Sequence, residues 1–410
     1  MSRTQRPKVI SLFTGAGGLD FGFEAAGFET AVAVEIDSTC CAFIRSNRNW
    51  AVIEDDIHFV SSERLLDAAD LKRGDADALI GGPPCQPFSK SGYWVSGDAK
   101  RLEDARADTL SAYLRVLEDT LPRTFLLENV PGLAYRGKDE GLNRIVGGIA
   151  EINRRCGTHY RPTWKVLDAA EYGVPQNRER VFIVASRDGG EFVFPKPTHG
   201  APDDPRQGLA PFRTAWDAIG DLASAPSEEK LGATGKWAEL LPTIPEGENY
   251  LWHTRRGGGL PLFGWRTRYW NFLLKLAKSR PSWTIQAQPG SATGPFHWTG
   301  RKLSTTELAR LQTLPSDLAF GTSRSEAQRL LGNAVPSLVA EVLAQEIAVQ
   351  FLGRKPSSKP PKLLPPVRPG MPGPEPVQPV RRPYLALIDQ HADHPGTGLG
   401  RRALLRSSAA

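Results

Sequence analysis

A cysteine lies at position 85, inside the stretch LIGGPPCQPFSKSG (79–92), with two prolines before it and another two residues after. A thiol nucleophile has to be held still, exposed and ionisable. The prolines fix the backbone here, and Gly81 and Gly82 leave room for a substrate to come close. Most cysteines are inert buried side chains, and Cys40, Cys41 and Cys156 are read that way. The flanking prolines set Cys85 apart.

Other positions carry groups that could assist such a nucleophile. The apolar run LLENV (126–130) ends in Glu128 and Asn129. A carboxyl at the mouth of a buried strand tends to a raised pKa and can donate a proton. In YGVPQNRERVFIVAS (172–186), Arg178 and Arg180 alternate just before an apolar run, so both point to one face. An arginine fork there can bind a carbonyl or phosphate oxygen. Taken singly, each of these also fits a strand-end salt bridge.

A second set of residues suits a nucleoside. FTGAGGLDFGF (13–23) reads as strand, glycine turn and helix, which can bring backbone N–H groups against a ligand or simply make a tight turn. Its spacing is not GxGxxG. Glu35 ends the next strand about 20 residues on, where a carboxylate can accept both hydroxyls of a ribose. Ile36 beside it could pack on an adenine. Asp55 and Asp56 follow AVIE, where a third strand would end, and an acid there could hold an adenine amino group.

These residues need a scaffold of alternating strands and helices. Strands are predicted at 8–12, 31–37, 77–82 and 124–130, with a further strand at VFIVA (181–185). Helices are predicted after the glycine turn, from Asp37 or Ser38 onward, at 105–120 and at 141–156. The alternation implies βαβ units and a parallel sheet. Ligand chemistry in such a sheet sits at the carboxyl ends of the strands, where Cys85 follows the strand DALI. From Gly189 to about 295 the chain is rich in Pro, Gly and Trp with little periodicity, which predicts a smaller irregular domain. Helical signals return at 304–313 and 325–352.

Charge is unevenly spread. Residues 353–410 hold ten Lys/Arg against three acids, more than accounting for the net +6 of all 410 residues. Residues 251–310 hold ten Lys/Arg against Glu307 alone, together with five of the ten tryptophans. A localised basic, aromatic segment is the footprint that phosphate backbones attract. Within it, the RYWNFLLKLAKSR run is expected to form a helix with Lys275 and Lys278 on a solvated face. The Pro-rich stretch from Arg354 to about Arg382 has few large apolar residues and is expected to be disordered or extended. No apolar run reaches the length of a membrane helix and no secretory signal is visible. Four cysteines without a CxxC pair imply a reducing, intracellular chain. No metal-ligand spacing is present.

The motifs in their order resemble the DNA (cytosine-5)-methyltransferases: SLFTGAGGLDFGFEAAGF, VEID, GGPPCQPFS, ENVPGL, QNRERVFIVA, RKLSTTELARLQTLPSD and LLGNAVPSLVAEVLAQEI, all between residues 8 and 352. The resemblance does not cover the tail and is weakest across about 190–280. One departure is Thr306, where the family usually has an arginine that supports domain packing.

The resemblance implies an α/β, Rossmann-like S-adenosylmethionine-dependent methyltransferase domain with a smaller irregular target-recognition domain. The boundaries would be 1–188 for the catalytic domain, 189–300 for the recognition domain, 301–352 for a return to the catalytic domain, and 353–410 for the tail. Cys85 would add to C6 of a cytosine, Glu128 would protonate or hydrogen-bond N3, Arg180 would hold O2, and Arg178 would support the site. Phe13, Gly15, Ala16, Gly17 and Gly18 would surround the methionine part of S-adenosylmethionine. Glu35 would bind the ribose, Ile36 the adenine face and Asp56 the adenine amino group, although DDI stands here for the more usual GDI. Pro83, Asn333 and Val335 would complete that pocket. Gln86, Phe88, Ser89 and Ser91 belong to the loop that would close on DNA. Arg255, Arg256, Arg266 and Arg268 would meet phosphates and base edges.

The partner implied is double-stranded DNA, with a flipped cytosine, and a cognate restriction endonuclease is possible. A monomeric, cytoplasmic, prokaryotic enzyme is expected, since no large regulatory region precedes the motifs. The alternatives are a tRNA cytosine methyltransferase and a catalytically silent DNA-binding relative. Intact Cys85, Glu128 and Arg180 speak against the second. The tail could bind DNA, bind a partner, or only solvate.

Overall fold

The computed structural model describes residues 6–84, 108–135, 140–223, 228–266 and 269–394. Strands and helices alternate from the start: β1 (Lys8–Leu12), α1 (Gly18–Ala25), β2 (Glu29–Glu35), α2 (Ser38–Asn47), β3 (Ala51–Glu54), α3 (Ser62–Ala69), β4 (Ala78–Gly81), α4 (Asp108–Thr120), β5 (Thr124–Asn129), α5 (Glu140–Cys156), β6 (Thr163–Asp168) and β7 (Glu179–Ser186). They form one seven-stranded sheet in the order β3-β2-β1-β4-β5-β7-β6. β1 to β5 run parallel, and β7 enters antiparallel between β5 and β6.

The central strands read as apolar runs because both faces are covered. Every residue of β4 and β5 is buried. Side chains of α3, α4 and α5 pack on one face. The other face takes α1 and a late helix, α9 (Ser337–Phe351). The α1–α9 approach is close enough to demand glycine. A Cβ at Gly22 would lie 2.4 Å from the Ser337 carbonyl, and one at Gly18 would lie 2.2 Å from the Val335 carbonyl. Asp37, not Ser38, caps α2, accepting from the N–H groups of Thr39 and Cys40 at 2.9 and 3.1 Å. The helix expected at 325–352 is two helices, α8 (Arg324–Asn333) and α9, because Ala334 precedes Val335-Pro336 in extended backbone and Pro336 cannot donate to continue the ladder. Together they are long and apolar enough to cross a membrane by composition, but 67% of that window is buried in the core.

Asp20 in the first turn of α1 is fully buried and accepts from Ser11 Oγ at 3.0 Å and Thr30 Oγ1 at 3.1 Å. Burial pushes its carboxyl up to about 7 despite those bonds. Between about pH 4 and 7 the native state therefore keeps a proton that the unfolded chain has lost. The stability this provides is full below about pH 4 and is lost as pH rises through 7. Asp20→Asn is expected to flatten that dependence and to gain on the wild type toward pH 8, read by urea unfolding across pH.

Three expectations need correction. First, the core does not change at Gly189. Phe192 packs with α9, and α6 (Ala215–Ile219) packs with α7 (Thr305–Leu311), α8 and Trp298. A separate lobe has its own core of Leu240, Leu241, Ile244, Tyr250, Leu262, Leu273 and Phe296. Second, 269–280 is not a helix with a solvated basic face. Lys275 and Lys278 are each only 3% exposed. Lys275 donates to the Ile244 carbonyl at 2.8 Å, and burial pushes its ammonium down to about 8. Lys278 pairs with Glu246 at 2.5 Å and Glu375 at 2.9 Å.

Third, residues 354–394 are not a disordered tail. Leu363 and Leu364 pack beside α9, Glu341 accepts the N–H groups of Lys362 and Leu363, and Asp217 accepts that of Arg368 at 2.8 Å. A proline-rich chain has little backbone entropy to lose and lacks ladder hydrogen bonds, so a few buried carboxylates suffice to hold its remaining N–H groups.

Candidate active site

The strand order reverses between β1 and β4, and the carboxyl ends of β1, β2, β4 and β5 surround one cavity of about 720 Å³. Its lining includes Phe13, Gly15, Ala16 and Gly18 from the glycine turn, Glu35 and Ile36 from the end of β2, and Asn333 and Val335 from the α8–α9 break. The turn winds through left-handed backbone at Phe13 (φ 54°), Gly15 (φ 55°) and Gly17 (φ 73°). For Phe13 this is a strained conformation, placed at the cavity wall. Gly17 does not line the cavity. It caps α1 and packs beneath the Phe21 ring.

Glu35 is buried, yet its carboxylate stands at the centre of this wall. Oε2 accepts from Gly15 N at 2.7 Å and Oε1 from Asp37 N at 2.9 Å. Each oxygen keeps a further lone pair for a ligand hydroxyl. Ile36 next to it is 65% exposed, an apolar face open to a flat ring. Asp56 lines the same cavity and accepts through Oδ1 from His58, which holds its carboxyl below the usual range. Asp55 turns to Arg64 at 2.7 Å. Both acids line the cavity, and each already has a partner, Asp55 in Arg64 and Asp56 in His58. Glu35 and Asp56 give two carboxylate acceptors, and Ile36 one exposed apolar face, on a single wall.

The second half of the cavity belongs to a carboxyl and two guanidiniums. Glu128, at the end of β5, is 9% exposed and accepts from Arg180 Nε at 2.9 Å. β5 and β7 pair antiparallel with Glu128 opposite Phe182, which brings the start of β7 to the end of β5. Burial pushes Glu128 upward, Arg180 and Arg178 pull it back, and the net is upward. The close approach also explains Gly82, where a Cβ would lie 2.8 Å from Glu128 Oε2. Arg178 lines the cavity from deeper in, 2% exposed. It donates to the carbonyls of Ile285 and Gly332 at 3.3 and 2.9 Å, so it braces three segments rather than offering a free fork. Burial, then Arg180, drives its pKa well below the ordinary guanidinium value.

Pro83 and Pro84 lead from β4 along this wall. Cys85, Gln86, Phe88, Ser89 and Ser91 lie outside the described residues, as does Arg268. Cys40 and Cys41 are buried, and burial raises both thiols, Cys41 to about 12. Among the described residues no group of His, Cys, Asp and Glu could hold a metal. Arg255, Arg256 and Arg266 are not brought to the cavity. They sit in the separate lobe, where Arg256 stacks 3.9 Å over Trp265.

Two supports were not foreseen from the sequence. Asn129 donates to the Pro83 carbonyl at 3.2 Å and accepts from Val130 N, tying β5 to the proline turn. Its place in ENV was the only local signal. Arg329 on α8 grips Asp37 at 2.7 Å across 292 residues, a pairing that no local pattern announces.

Comparisons with known proteins identify the family and the fold. The family model described as C-5 cytosine-specific DNA methylase matches residues 7–349. Among curated relatives, the Type II methyltransferase M.SacI of Streptomyces achromogenes is 38% identical over 370 residues, covering 84% of this chain and 93% of the relative. The Type II methyltransferase M.NgoFVII of Neisseria gonorrhoeae is 34% identical over 354 residues, covering 85% and 88%. Of solved structures, an E. coli prophage-encoded DNA modification methyltransferase superposes with a TM-score of 0.59 at 20% identity over 85% of this chain and all of that one. The Entamoeba histolytica methyltransferase EhMeth superposes with a TM-score of 0.57 at 14% identity, covering 84% and 99%. At these identities the structures speak for the fold, and the extent of the family match carries the rest: the chain belongs to the C-5 cytosine-specific DNA methylase family and is a DNA cytosine-5 methyltransferase.

Proposed function

We propose that this enzyme methylates C5 of one cytosine in a short duplex sequence, through a covalent adduct between Cys85 and C6 of the base. The observation that carries the reading is the Glu128–Arg180 pair, buried at the carboxyl end of β5 on the same cavity wall as the Pro83-Pro84 turn that leads into Cys85.

S-adenosylmethionine, when bound, supplies an electrophilic methyl group. Glu35 would hold the ribose hydroxyls, Ile36 the adenine face and Asp56 the ring amino group, and Phe13, Gly15, Ala16, Gly18, Pro83, Asn333 and Val335 would close the pocket. The chain's own chemistry acts on the base. Glu128 gives a proton or hydrogen bond to N3, which draws electrons from C6. The Cys85 thiolate adds at C6, and the ring's electron pair moves to C5, which takes the methyl group as the sulfonium–methyl bond breaks to leave a neutral thioether. A base removes the C5 proton, and elimination returns Cys85 as thiolate. Covalent catalysis thus divides a difficult substitution into easier steps. Arg180 orients Glu128 and holds the cytosine O2. Arg178 holds the walls apart at a fixed distance. A stacked base cannot reach this pocket, so the cytosine is flipped out at a cost of a few kcal/mol. Gln86, Phe88, Ser89 and Ser91 meet the opened duplex. The enzyme acts as a cytoplasmic monomer, either within a restriction–modification system or standing alone.

The test is bisulfite sequencing of unmethylated plasmid after incubation with S-adenosylmethionine, with Cys85→Ser in parallel. The expected result is methylation of one short motif by the wild type and none by the variant. Cofactor binding by both proteins with no marked DNA would sink the DNA reading and turn attention to tRNA. Glu35→Ala removes an acceptor for two backbone N–H groups and for the ribose. It is expected to weaken S-adenosylmethionine binding by about 10- to 100-fold, the size of a lost charge-assisted pair of hydrogen bonds, measured by calorimetry.

A further inference from the structure

We infer that residues 375–394 are an integral part of the recognition lobe and set the geometry of its DNA-reading arginines. The inference rests on reading that lobe as the part that meets DNA.

The lobe's apolar core is incomplete without this segment. Val380, Tyr384, Leu387 and Ile388 pack against its buried leucines, Tyr250 and Phe296. The Tyr384 ring lies beside Trp237, and its hydroxyl donates to the Lys236 carbonyl at 2.7 Å. Backbone bonds continue the attachment: Gln378 N donates to the Pro242 carbonyl, Asp389 N to that of Pro261 and His394 N to that of Trp265. Four apolar side chains and a run of backbone bonds are what an internal element of a domain makes, whereas a free tail makes neither.

The end of this segment lies against the basic, aromatic patch. Asp389 pairs with Arg255 at 3.0 Å, and the Ala392 carbonyl accepts from Arg266 Nη1 at 2.7 Å. Asp393 accepts from Trp265 N, the residue over which Arg256 stacks. The Arg266 backbone is itself clamped by Tyr250, whose hydroxyl donates to its carbonyl and accepts from its N–H. Long arginine side chains lose much rotamer freedom on binding, so holding them beforehand favours a specific contact. Arg255 keeps a 70% exposed side chain while it is held, so the segment orients it without covering it.

Gly264 gives a way to displace the segment alone. A Cβ there would lie 2.2 Å from the Ala392 carbonyl oxygen and 2.9 Å from that of His391, all atoms of the segment. Gly264→Ala in the full-length enzyme therefore forces residues 391–394 and the lobe backbone at 264 apart, with every arginine and cavity side chain still present. Ile388→Asp evicts the segment from the core side. Trypsin cleavage at Arg381 reports docking, calorimetry with S-adenosylmethionine reports the catalytic body, and bisulfite mapping reports recognition. For Ile388→Asp cleavage is expected to accelerate by about tenfold or more, and for both variants methylation of the cognate motif is expected to fall by about tenfold or more, as positioned arginine contacts are lost. Cofactor affinity should not change. Unchanged cleavage in Ile388→Asp would overturn the docking. Freed segments with unchanged methylation would overturn its role in recognition, and faster methylation would make it a cover instead. A wild type that marks no DNA would reject the DNA reading, with the cleavage result still deciding the docking.

Discussion

Glu128→Gln is expected to lower single-turnover methyl transfer by about 10²–10⁴-fold, the range general acid catalysis supplies, with S-adenosylmethionine affinity unchanged. The substitution keeps the shape of the side chain and its contact with Arg180, but removes the titratable proton. Burial is the largest influence on this carboxyl and raises it; Arg180 and Arg178 partly offset the rise. The protonated form is therefore more populated near neutrality than for an exposed glutamate, and it declines as pH rises. Wild-type turnover should fall as pH rises through that titration. Glu128→Gln should lack this limb and show a flat, low rate. A variant that kept wild-type turnover and its alkaline limb would remove Glu128 from the chemistry. Loss of cofactor binding together with rate would make its role structural.

The second large effect concerns stability. Lys278 is 3% exposed and is held by Glu246, by Glu375 and by the Gly373 carbonyl at 3.0 Å. Lys278→Met removes one partner of a buried pair and leaves Glu246, with a side chain only 8% exposed, as an uncompensated charge. The expected loss is about 3–5 kcal/mol, the cost of breaking a buried pair on one side. It would be measured as a shift in the urea midpoint with little change in slope. Replacing both partners, Lys278→Met with Glu246→Leu, should recover most of that loss, because apolar residues of similar volume avoid the desolvation penalty. No recovery would mean that the carboxylate of Glu246 is needed chiefly for the N–H of Glu375, which it also accepts at 2.8 Å.

Much of the cavity is legible in the amino-acid sequence. A strand end, a glycine turn and an acid about 20 residues later place a carboxylate beside a helix start by local geometry alone, and Glu35 does meet Gly15 there. Arg178 and Arg180 share a side of the sheet because strands alternate with period two, and both line the cavity. What each guanidinium does is not legible in that way. Arg180 pairs with Glu128 only because β7 runs antiparallel beside β5, and Arg178 is a brace only because α8 and the 285 loop supply carbonyls.

The sequence by itself determined the alternation of strands and helices, the family and the residues at the strand ends, since these depend on short-range periodicity and turn chemistry. Tertiary structure alone decided where long-range partners lie. It turned Lys275 and Lys278 from a solvated face into buried cations, placed Asp37 under Arg329, and laid a proline-rich stretch along the body. Composition measures how much apolar surface a segment can bury by itself. It is silent about surface that a distant lobe already offers, and the buried carboxylates of Asp217, Glu246 and Glu341 hold that stretch in place from elsewhere in the fold.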